Sequence, residues 1–426
     1  MNLPETKYPR ILILGGGFAG LELAKTLNNT RYQVVMIDRN NYHTFQPLLY
    51  QVATAGLEPD NIAAPIRKIF EDQDNFFFRM ASAKEIIPGK NLLITDKGTI
   101  EYEYLVLACG TTTNFFGMDV LKKVSLTMKS VLQALKLRSY ILQSFERALL
   151  TSDPEEQQSY MTFVLVGAGP TGVELAGALA ELKAKVLQSD YPDLDISKMR
   201  ICLVEAVGEV LPPMSSEASK MSRKYLEELG VDLYLNESVS GFEDGIVKMK
   251  SGKEIRSRTL IWVAGVKGLI IEGLGEDKVE RSRYKVDVFN KIVGTENIYA
   301  IGDVAAMITE ENPRGHPMLA PVATQQGERL GKNFIRISNN KELKPFSYVN
   351  RGTMATIGRN RAVVDLPKWK FQGRFAWFVW MFVHLLSLVG FRNKLITFIN
   401  WSYNYISFDK GVRLIIQPFR DRKNGK

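Results

Sequence analysis

Short apolar runs separated by glycine-rich or polar breaks mark the start of the chain. Residues 11–14 form a continuous apolar run, as expected of a parallel strand that is buried on both faces. A glycine-rich stretch at 15–20 follows, and then a helical pattern runs from 21 to about 28. A second apolar run at 33–37 ends at Asp38. The pattern predicts a strand, a glycine turn, a helix and a second strand.

The same pattern returns in the middle of the chain. An apolar run at 162–166 precedes a second glycine-rich stretch at 167–172, a helix through about Lys185, and a strand at 200–204 that ends at Glu205. Further apolar strands of the same kind occur at 104–110, 259–265 and 298–303. Two copies of one supersecondary pattern indicate an internal duplication of a fold and not a short-period repeat.

Segments between and after these copies predict the domain boundaries. A helical pattern at about 130–149 leads into a polar stretch at 153–158, which we interpret as a linker, and 189–198 is an insertion before the next strand. Pro367 opens a segment of different composition that holds four of the five tryptophans. The predicted domains are 1–116 together with 286–366, then 117–285, and a C-terminal segment at 367–426.

The composition limits the class of protein. A chain of 426 residues with 45% hydrophobic and 24% charged residues is ordinary for a globular protein of two or three domains. Cys109 and Cys202 are its two cysteines. We therefore expect no disulfide framework and no metal site, and we expect both thiols to be buried. The polar start of the chain does not read as a secretory signal peptide.

The net charge of +9 lies entirely in the C-terminal segment. From Pro367 onward there are eleven basic residues against Asp409 and Asp421, so the first 366 residues are neutral overall. The basic residues are Lys368, Lys370, Arg374, Arg392, Lys394, Lys410, Arg413, Arg420, Arg422, Lys423 and Lys426. Any acidic surface that the protein prefers should meet this segment.

The first glycine stretch has the spacing of a dinucleotide-binding loop. Gly15 allows the tight turn, Gly17 lets the backbone approach a pyrophosphate, and Gly20 lets the helix pack closely on the strand. Asp38 stands at the end of the next strand, where a carboxylate accepts hydrogen bonds from an adenosine ribose. One such loop is weak evidence by itself, but here the strand, turn and helix surround it in the required order.

The second stretch repeats this arrangement with Gly167, Gly169 and Gly172, and Glu205 is its strand-end acid. A carboxylate at that position favours a free 2′-hydroxyl and repels a 2′-phosphate, so NADH is preferred over NADPH. The alternative is that Glu205 is an ordinary exposed acid at the end of a strand.

Two dinucleotide sites in one chain imply chemistry between two dinucleotides. Nicotinamide carries a hydride and flavin accepts it, so one site for each makes a natural pair. The first loop is the better candidate for FAD, because Gly302 and Asp303 supply a companion contact later in the chain. The alternative for Asp303 is a helix N-cap before the sequence at 304–307.

The chain resembles the flavoproteins with two dinucleotide-binding domains, and among them the type II (non-proton-pumping) NADH:quinone oxidoreductases. The general signals are GGGFAGLE at 15–22, GAGPTGVELAG at 167–177 and NIYAIGD at 297–303. The more specific signals are YHTFQPLLYQVATAGL at 42–57, APVATQQG at 320–327, GTMATIGRNRAV at 352–363 and the aromatic tail at 382–405.

This resemblance implies an α/β fold of the glutathione-reductase type, with two Rossmann-like domains and a C-terminal amphipathic helical segment that anchors the protein to a membrane. FAD would occupy 1–116 and 286–366, and NADH would occupy 117–285. The resemblance places FAD on Gly15, Gly17, Gly20, Asp38 and Asp303, and NADH on Gly167, Gly169, Gly172 and Glu205. Further cofactor-binding residues expected from the matching motifs are Phe18, Ala19, Arg39, Cys109, Gly110, Pro170, Thr171, Gly265, Gly302, Ala320, Pro321 and Val322.

Three residues are implied as catalytic. Glu174 matches the glutamate of the family near the contact between nicotinamide and flavin, and its alternative is a solvated or capping acid in the first helical turn. Gln325 matches the second of two glutamines that face quinone in the family, while Pro321 replaces the first and cannot hydrogen-bond a quinone carbonyl. Arg351 stands where many members have lysine, so it can assist only through its charge.

The C-terminal segment has helical stripes of large apolar residues. One stripe comprises Phe375, Phe378, Phe382, Leu386 and Val389, and a second face carries Trp377, Trp380, His384 and Ser387. Together with the segment at 394–408, the pattern predicts two helices that lie on a membrane surface. A true membrane span and a soluble dimer surface are the alternatives. We interpret His384 as an interfacial polar residue and not as a catalytic group.

These observations predict a membrane-associated respiratory enzyme that oxidises NADH and reduces quinone through FAD without pumping protons. The expected partners are quinone, a lipid surface and a second copy of the chain, with no nucleic acid. The expected location is the cytoplasmic face of a bacterial-type inner membrane.

Rival functions on the same fold are less consistent with the sequence. Disulfide reductases and sulfide:quinone oxidoreductases need redox-active cysteines, which Cys109 and Cys202 do not match. An NADH sensor would need no quinone pocket, whereas residues 45–50 and 320–326 supply the residues for one. A soluble NADH oxidase would not need the aromatic, basic tail, which is costly to expose to water.

Overall fold

The chain forms two compact units in a computed structural model that describes residues 1–407 and 412–418. Each unit is assembled from three separate segments of sequence. Unit 1 comprises Met1–Thr44, Ala64–Thr112 and Val266–Asn350. Unit 2 comprises Phe45–Ala63, Thr113–Gly265 and the chain from Arg351 onward.

A five-stranded parallel sheet forms the centre of unit 1. Its strands, in spatial order, are Ile298–Ala300, Tyr104–Leu107, Arg10–Leu14, Gln33–Asp38 and Phe76–Met80. The central strand is entirely apolar from Ile11 to Leu14, because it is covered on both faces. Leu14 pairs with Ile37 on one side and with Leu107 on the other. The strands therefore end together, which brings the loops that follow them to one edge.

Two helices of unit 1 pack tightly against each other beside this sheet. They are Phe18–Thr26 and Ala320–Ser338. A Cβ at Gly327 would overlap the carbonyl oxygen of Ala19, so glycine permits the close approach. The first helix starts at Phe18 rather than at the predicted residue 21, because Gly20 lies within its first turn.

Smaller sheets complete unit 1. A hairpin sheet comprises Ala83–Ile87, Leu92–Thr95 and Gly98–Glu101, and a second comprises Val279–Glu280, Arg283–Val286 and Ala305–Met307. The alternative interpretation of a helix after Asp303 is wrong, because Gly302–Val304 is a single 3₁₀ turn and the chain continues as a strand. That strand, Ala305–Met307, pairs in parallel with Arg283–Val286. Asp303 is therefore not a helix N-cap.

Unit 2 repeats the central parallel sheet. Its strands, in spatial order, are Leu126–Thr127, Thr259–Trp262, Thr162–Val166, Arg200–Glu205 and Val231–Leu235. Its main helices are Asp119–Val124, Val131–Leu150, Pro154–Tyr160, Pro170–Leu182 and Ser216–Glu228. A hairpin sheet comprises Val239–Glu243, Ile246–Met249 and Glu254–Arg256. The predicted duplication of one Rossmann-like fold is confirmed.

Two consecutive segments of unit 2 are predicted from the sequence as a helix and as a linker, and both are helices in the structure. The helix expected at 130–149 is Val131–Leu150, and the Ser130 hydroxyl caps it by accepting a hydrogen bond from the Gln133 backbone N–H at 3.2 Å. The interpretation of 153–158 as a linker is wrong. These residues open the helix Pro154–Tyr160, because Asp153 caps it and Pro154 suits its first turn.

The chain after residue 350 adds a sheet and two helices to unit 2. The antiparallel strands are Thr353–Thr356, Ala362–Asp365 and Lys370–Gln372. The helices Arg374–Ser387 and Phe391–Ser407 follow, and we call them the tail helices. No helix within 1–407 or 412–418 is long and apolar enough to cross a membrane. The predicted basic residues Lys410, Arg420, Arg422, Lys423 and Lys426 lie outside the described residues.

The unit boundaries differ from the predicted domain boundaries. Residues 45–63 belong to unit 2, because the helix Leu49–Ala53 packs against Val131–Leu150 and Pro170–Leu182. Residues 351–366 also belong to unit 2, where their strands join the tail helices. Residues 266–285 belong to unit 1 through the pairing of its strand Arg283–Val286.

Both tail helices have apolar outer faces, and the second has a mainly polar inner face, whereas the first buries Ala376 and Trp380. In the second helix, the Asn393 amide donates to the Ala63 carbonyl oxygen at 3.1 Å and the Asn404 amide donates to that of Gly56 at 3.2 Å. The Trp401 indole donates to Gln51 Oε1 at 2.8 Å. The exposed side chains are Phe375, Phe378, Phe382, Val383, Leu386, Phe391, Leu395, Phe398, Ile399, Tyr403 and Ile406. The predicted stripe is thus the outer face as far as Leu386, whereas Val389 lies beyond the end of the helix.

Candidate functional site

The first glycine loop in unit 1 forms a cradle without side chains. Gly15 has a left-handed φ of +111°, and a Cβ there would overlap the Ala108 carbonyl group. A Cβ at Gly20 would overlap the Gly15 carbonyl oxygen. At Gly17, by contrast, nothing in the described chain lies within 4 Å of the Cβ position. The open space at Gly17 faces the start of a helix, so the loop fits an anionic group such as a pyrophosphate.

Asp38, at the end of the next strand, holds this loop by hydrogen bonds. Its Oδ2 accepts the Gly16 backbone N–H at 2.8 Å and its Oδ1 accepts that of Asn40 at 2.8 Å. Arg39 beside it is exposed. The carboxylate keeps free lone pairs at the strand end, where a ribose hydroxyl of a dinucleotide is bound.

His43 is a residue of this site that the sequence did not single out. Its Nδ1 donates to the Gly16 carbonyl oxygen at 2.9 Å, which leaves Nε2 as an acceptor. The side chain is 2% exposed, and Nε2 has no hydrogen-bond partner among the described residues. Burial lowers the pKa of His43, so the ring is neutral. His43 lies in the motif at 42–57 that carries the family resemblance, but no individual role is predicted for it.

The other predicted residues of unit 1 gather at the same sheet edge. Gly110 and Gly302 have left-handed φ values and follow the strands Tyr104–Leu107 and Ile298–Ala300. The Thr111 hydroxyl donates to Asp303 at 3.4 Å. Phe18 and Ala19 open the helix that follows the loop.

Cys109 is half-buried, unlike the fully buried thiol that we expected, whereas Cys202 is fully buried as predicted. The Cys109 thiol donates to the Leu269 carbonyl oxygen at 3.2 Å, and burial raises its pKa to about 12. It is therefore a thiol and not a thiolate at neutral pH. Both cysteines are free, so they form no disulfide with each other.

The segment at 320–326 forms the first turns of the helix Ala320–Ser338. Ala320, Pro321 and Val322 are its first three residues, and proline costs no helical hydrogen bond there. The Gln325 amide is already paired with the backbone of Val349, since its Nε2 donates at 3.0 Å and its Oε1 accepts at 2.9 Å. Its neighbour Gln326, 1% exposed, accepts the Gly302 backbone N–H at 2.7 Å. The sequence did not reveal that both glutamines hold the backbone.

The second glycine loop, in unit 2, is built in the same way. Gly167 has a φ of +106°, and a Cβ there would lie 2.7 Å from the Ala264 Cα atom. A Cβ at Gly172 would overlap the Gly167 carbonyl oxygen, whereas the position at Gly169 is open among the described residues. Pro170 and Thr171 are exposed at the start of the helix. This loop also fits a pyrophosphate.

Glu205 holds the second loop by hydrogen bonds, as Asp38 holds the first. Its Oε2 accepts the Ala168 backbone N–H at 2.7 Å and its Oε1 accepts that of Val207 at 3.2 Å. The alternative of an ordinary exposed acid is wrong, because the carboxylate is half-buried and shapes the loop.

Glu174 lies inside unit 2 and not on its surface. The side chain is 7% exposed, and burial raises its pKa to about 8, while the backbone of Thr356 and the indole N–H of Trp380 act in the opposite direction. The alternative of a solvated acid is therefore wrong. At neutral pH the carboxyl group is mainly protonated, which suits a group that holds a proton.

A cavity of about 70 Å³ adjoins Glu174. Its lining includes Gln46, Tyr50, Met128, Lys129, Thr171 and Glu174. Burial and the nearby Glu174 raise the pKa of Tyr50 well above its usual range, and the Gln51 amide donates to its hydroxyl at 2.9 Å. A protonated phenol and a protonated carboxyl group thus share one small cavity. Tyr50 lies in the segment 45–50 that is predicted to supply residues for a quinone pocket, although no individual role is predicted for it.

The first tail helix closes this region from inside unit 2. Trp380 is 2% exposed and stacks on His384, with ring centroids 4.1 Å apart. His384 Nδ1 donates to the Trp380 carbonyl oxygen at 2.8 Å, and burial lowers the pKa of His384 to about 4. His384 therefore packs inward as a neutral ring and does not stand on the exposed face.

The remaining predicted residues of unit 2 are at its surface. Arg351 is exposed at the start of the last segment. Gly265 is exposed, has a φ of +66°, and follows the strand Thr259–Trp262.

Comparison with known proteins assigns the chain to a family. A family model of the pyridine nucleotide-disulphide oxidoreductases matches residues 9–327, and one of the NDH2 C-terminal domain matches 350–407. The type II NADH:quinone oxidoreductase Ndh of Mycobacterium tuberculosis is 33% identical over 421 residues, which cover 94% of this chain and 89% of that protein. A type II NADH:quinone oxidoreductase of Staphylococcus epidermidis is 31% identical over 365 residues, covering 83% and 89%. The chain is a type II NADH:quinone oxidoreductase.

A solved structure shares the fold of this type II enzyme. NDH2 of Plasmodium falciparum in complex with NADH superposes with a TM-score of 0.88 at 21% identity, covering 96% of this chain and all of that one. The predicted fold class, enzyme class and pair of dinucleotides, FAD and NADH, are confirmed by the family membership. A disulfide reductase, an NADH sensor and a soluble oxidase are thereby set aside.

Proposed function

We propose that this type II oxidoreductase transfers electrons from NADH through FAD to a membrane quinone without pumping protons. The observation that carries the proposal is the matched construction of two loops. Each has open space at its middle glycine and a strand-end carboxylate that accepts a loop N–H, at 2.8 Å from Gly16 and 2.7 Å from Ala168. Two such cradles fit two dinucleotides.

FAD fits the cradle of unit 1. Gly15, Gly17 and Gly20 would admit its pyrophosphate, and Asp38 would accept from its adenosine ribose. The buried, unpartnered Nε2 of His43 is a further acceptor beside the same loop, within the described chain. When bound, FAD accepts a hydride from NADH and passes two electrons to quinone.

NADH fits the cradle of unit 2. Gly167, Gly169 and Gly172 would admit its pyrophosphate, and Glu205 would accept from its adenosine ribose. The fixed charge of Glu205 disfavours the 2′-phosphate of NADPH. Pro170, Thr171 and Gly265 border this cradle at the same edge of the sheet.

Glu174 is the proposed proton-holding group. Reduction of a quinone by NADH consumes one proton besides the hydride, since NADH, H⁺ and quinone give NAD⁺ and quinol. A carboxyl group with a pKa of about 8 carries that proton at neutral pH. The hydroxyl of Tyr50 in the same cavity stays protonated and acts as a hydrogen-bond donor.

Gln325 and Arg351 remain proposed groups on the quinone side. Gln325 would contact a quinone carbonyl only by giving up a hydrogen bond to Val349. Arg351 would act through its charge alone, because a guanidinium does not release a proton at physiological pH. Pro321 offers no hydrogen bond donor, so it would shape the pocket and not bind the carbonyl.

We propose the outer faces of the tail helices as the membrane contact. These faces expose large apolar side chains over both helices, and Arg374 flanks them with positive charge, whereas Arg392 forms an ion pair with Asp60 at 3.5 Å. Such a surface is costly in water and suits the interface of an anionic bilayer. The cytoplasmic face of a bacterial-type inner membrane and a homodimer rest on the family resemblance alone.

Anaerobic stopped-flow absorbance tests the proposed relay. NADH should bleach the flavin, and a short-chain quinone added next should restore its colour at a rate that supports turnover. Bleaching without recovery would mean that quinone is not the acceptor. Turnover itself consumes one proton, so pumping is tested in sealed vesicles in a buffered medium with an internal pH dye. The internal pH should stay constant, and a change would contradict the absence of pumping.

A further inference from the structure

Phe116 combines a strained backbone with an exposed ring. Its φ of +51° lies in the left-handed region, which is unfavourable for a bulky side chain. Its side chain is 62% exposed, so burial of the ring does not compensate for this strain. Strained residues persist where the surrounding structure holds them, and they concentrate at functional sites.

A network of hydrogen bonds fixes the loop that carries Phe116. The Phe116 backbone N–H donates to Asn114 Oδ1 at 2.9 Å, and the Asn114 backbone N–H donates to the Gly265 carbonyl oxygen at 3.2 Å. The Trp262 indole donates to the carbonyl oxygens of Asn114 and Ala264, both at 2.9 Å. The loop is therefore bound to the end of the strand Thr259–Trp262.

The ring of Phe116 rests against Gly265. A Cβ at Gly265 would lie 2.5 Å from the ring Cζ atom, so only glycine leaves room for the ring. The preceding residue, Ala264, fills the space beside Gly167 of the second loop, at 2.7 Å from a Cβ built there. The residue before that, Val263, borders Gly172. The exposed ring thus stands beside the segment that lines the second loop.

The strand order places this ring on one side of the pyrophosphate turn. Glu205 ends the strand next to Thr162–Val166 and would bind the adenosine ribose. Thr259–Trp262 lies on the opposite side of Thr162–Val166. A dinucleotide crosses the carboxyl ends of such strands, so its nicotinamide half extends over the side away from Glu205.

We propose that Phe116 positions the nicotinamide half of NADH, with its exposed ring as an apolar wall at the end of the strand Thr259–Trp262. The inference rests on the proposed NADH site in unit 2. An aromatic wall limits the orientations of the nicotinamide riboside without forming hydrogen bonds to it. This role gives a reason for the strain, because an unstrained backbone would direct the side chain elsewhere.

Ligands that share only one half of NADH test the role of Phe116. NAD⁺ and ADP-ribose are titrated against the full-length holoenzyme by calorimetry, since ADP-ribose lacks nicotinamide. Phe116→Ala should weaken NAD⁺ binding about threefold to tenfold, the typical worth of an aromatic contact, and leave ADP-ribose binding unchanged. Phe116→Tyr keeps a ring and should restore NAD⁺ binding. Leu150→Ala, at another exposed apolar side chain of unit 2, is the control.

Each outcome separates this inference from the proposed function. Unchanged NAD⁺ binding in Phe116→Ala, or equal losses for NAD⁺ and ADP-ribose, would overturn the role of Phe116. Glu205→Ala removes the carboxylate that shapes the loop and should weaken both ligands. If Glu205→Ala affected neither ligand, the NADH site itself would be wrong. In steady state, Phe116→Ala should raise KM for NADH more than it lowers kcat.

Discussion

The carboxylate of Glu205 accepts a hydrogen bond from the backbone N–H of Ala168 at 2.7 Å, across the turn of the second glycine loop. Asp38 and Gly16 form the equivalent bond in unit 1 at 2.8 Å. In both units, therefore, one carboxylate both shapes the loop and supplies a negative charge at the strand end. These two roles can be separated by substitution.

Glu205→Gln keeps an oxygen that can accept the Ala168 N–H but removes the charge. The ratio of kcat/KM for NADPH to that for NADH should rise about threefold to tenfold, because repulsion of the 2′-phosphate is lost. Steady-state kinetics with both nucleotides measure the ratio. Glu243→Gln, on an exposed hairpin, is the control. An unchanged ratio in Glu205→Gln would remove this residue from nucleotide selection.

Gly17→Val should abolish flavin binding without unfolding the protein. No described atom lies within 4 Å of the Cβ position, and the φ of −75° suits valine, so the new side chain enters only the space reserved for pyrophosphate. The ratio of flavin to protein absorbance measures flavin binding, and a thermal melt of the apoprotein shows whether the variant is folded. Gly89→Val, at an equally open position outside the loop, should retain flavin. A yellow Gly17→Val protein would contradict the FAD assignment.

Glu174→Gln should make the protein more stable at alkaline pH. The folded-state pKa of about 8 lies above the usual 4.5, so the wild type loses stability as pH rises from about 4.5 to about 8. The full difference is roughly 5 kcal/mol and is an upper bound. Thermal melts between pH 4 and 9 measure this effect. The difference in Tm between Glu174→Gln and the wild type should therefore grow up to about pH 8 and stay constant above it.

The same variant tests the proton-holding role of Glu174. In stopped-flow measurements, Glu174→Gln should slow the return of flavin colour by quinone more than the bleaching by NADH. Glu243→Gln should follow the wild type in both the melts and the kinetics. Parallel melting curves of Glu174→Gln and wild type over the whole pH range would show that this carboxyl group is not buried in its neutral form.

Substitutions on the outer face of the first tail helix should release the enzyme from lipid. Phe378→Asp with Phe382→Asp should weaken binding to anionic vesicles about a hundredfold or more, because each buried phenylalanine contributes roughly 2 kcal/mol. Co-sedimentation measures binding, and NADH oxidation by a soluble dye should be unchanged. Leu132→Asp, at an exposed leucine of another helix, should still bind vesicles. Unchanged sedimentation of the double variant would place the membrane contact elsewhere.

Deletion of 367–426 is a poorer test than these substitutions. Trp380 and Trp401 are buried within unit 2, and Arg359 donates to the carbonyl oxygen of Tyr405 near the end of the second tail helix. The deletion would therefore remove part of the core as well as the outer face.

The local patterns of sequence predicted the repeated strands, loops and helices well. Gly15 and Gly167 predict the two turns, because a left-handed backbone next to a strand requires glycine. Asp38 and Glu205 then mark the ends of the strands that follow. The tail helices were predicted from the spacing of large apolar residues such as Phe378. Each of these signals is carried by neighbours in the chain, so no tertiary contact is needed to read it.

Features that depend on distant contacts were not predictable in this way. Glu174 is buried because residues 45–63 and the first tail helix join its unit, a grouping that no local pattern announces. Gln325 and Gln326 look equivalent in sequence, yet they hold different backbone groups. Phe116 carries no sign of a left-handed backbone, since that conformation is imposed by the contacts of its loop.

The second tail helix reverses the usual amphipathic order, with Asn393 and Asn404 inside and apolar side chains outside. Substitutions on its two faces should therefore have different effects. On the outer face, the proposed membrane contact, one large apolar residue should replace another without consequence, since lipid makes no directional demands. Inside, each amide is matched to one carbonyl oxygen, and Asn404→Leu would break that match while making the helix more hydrophobic. Greater hydrophobicity of this tail would thus mean a looser fold and not a firmer anchor.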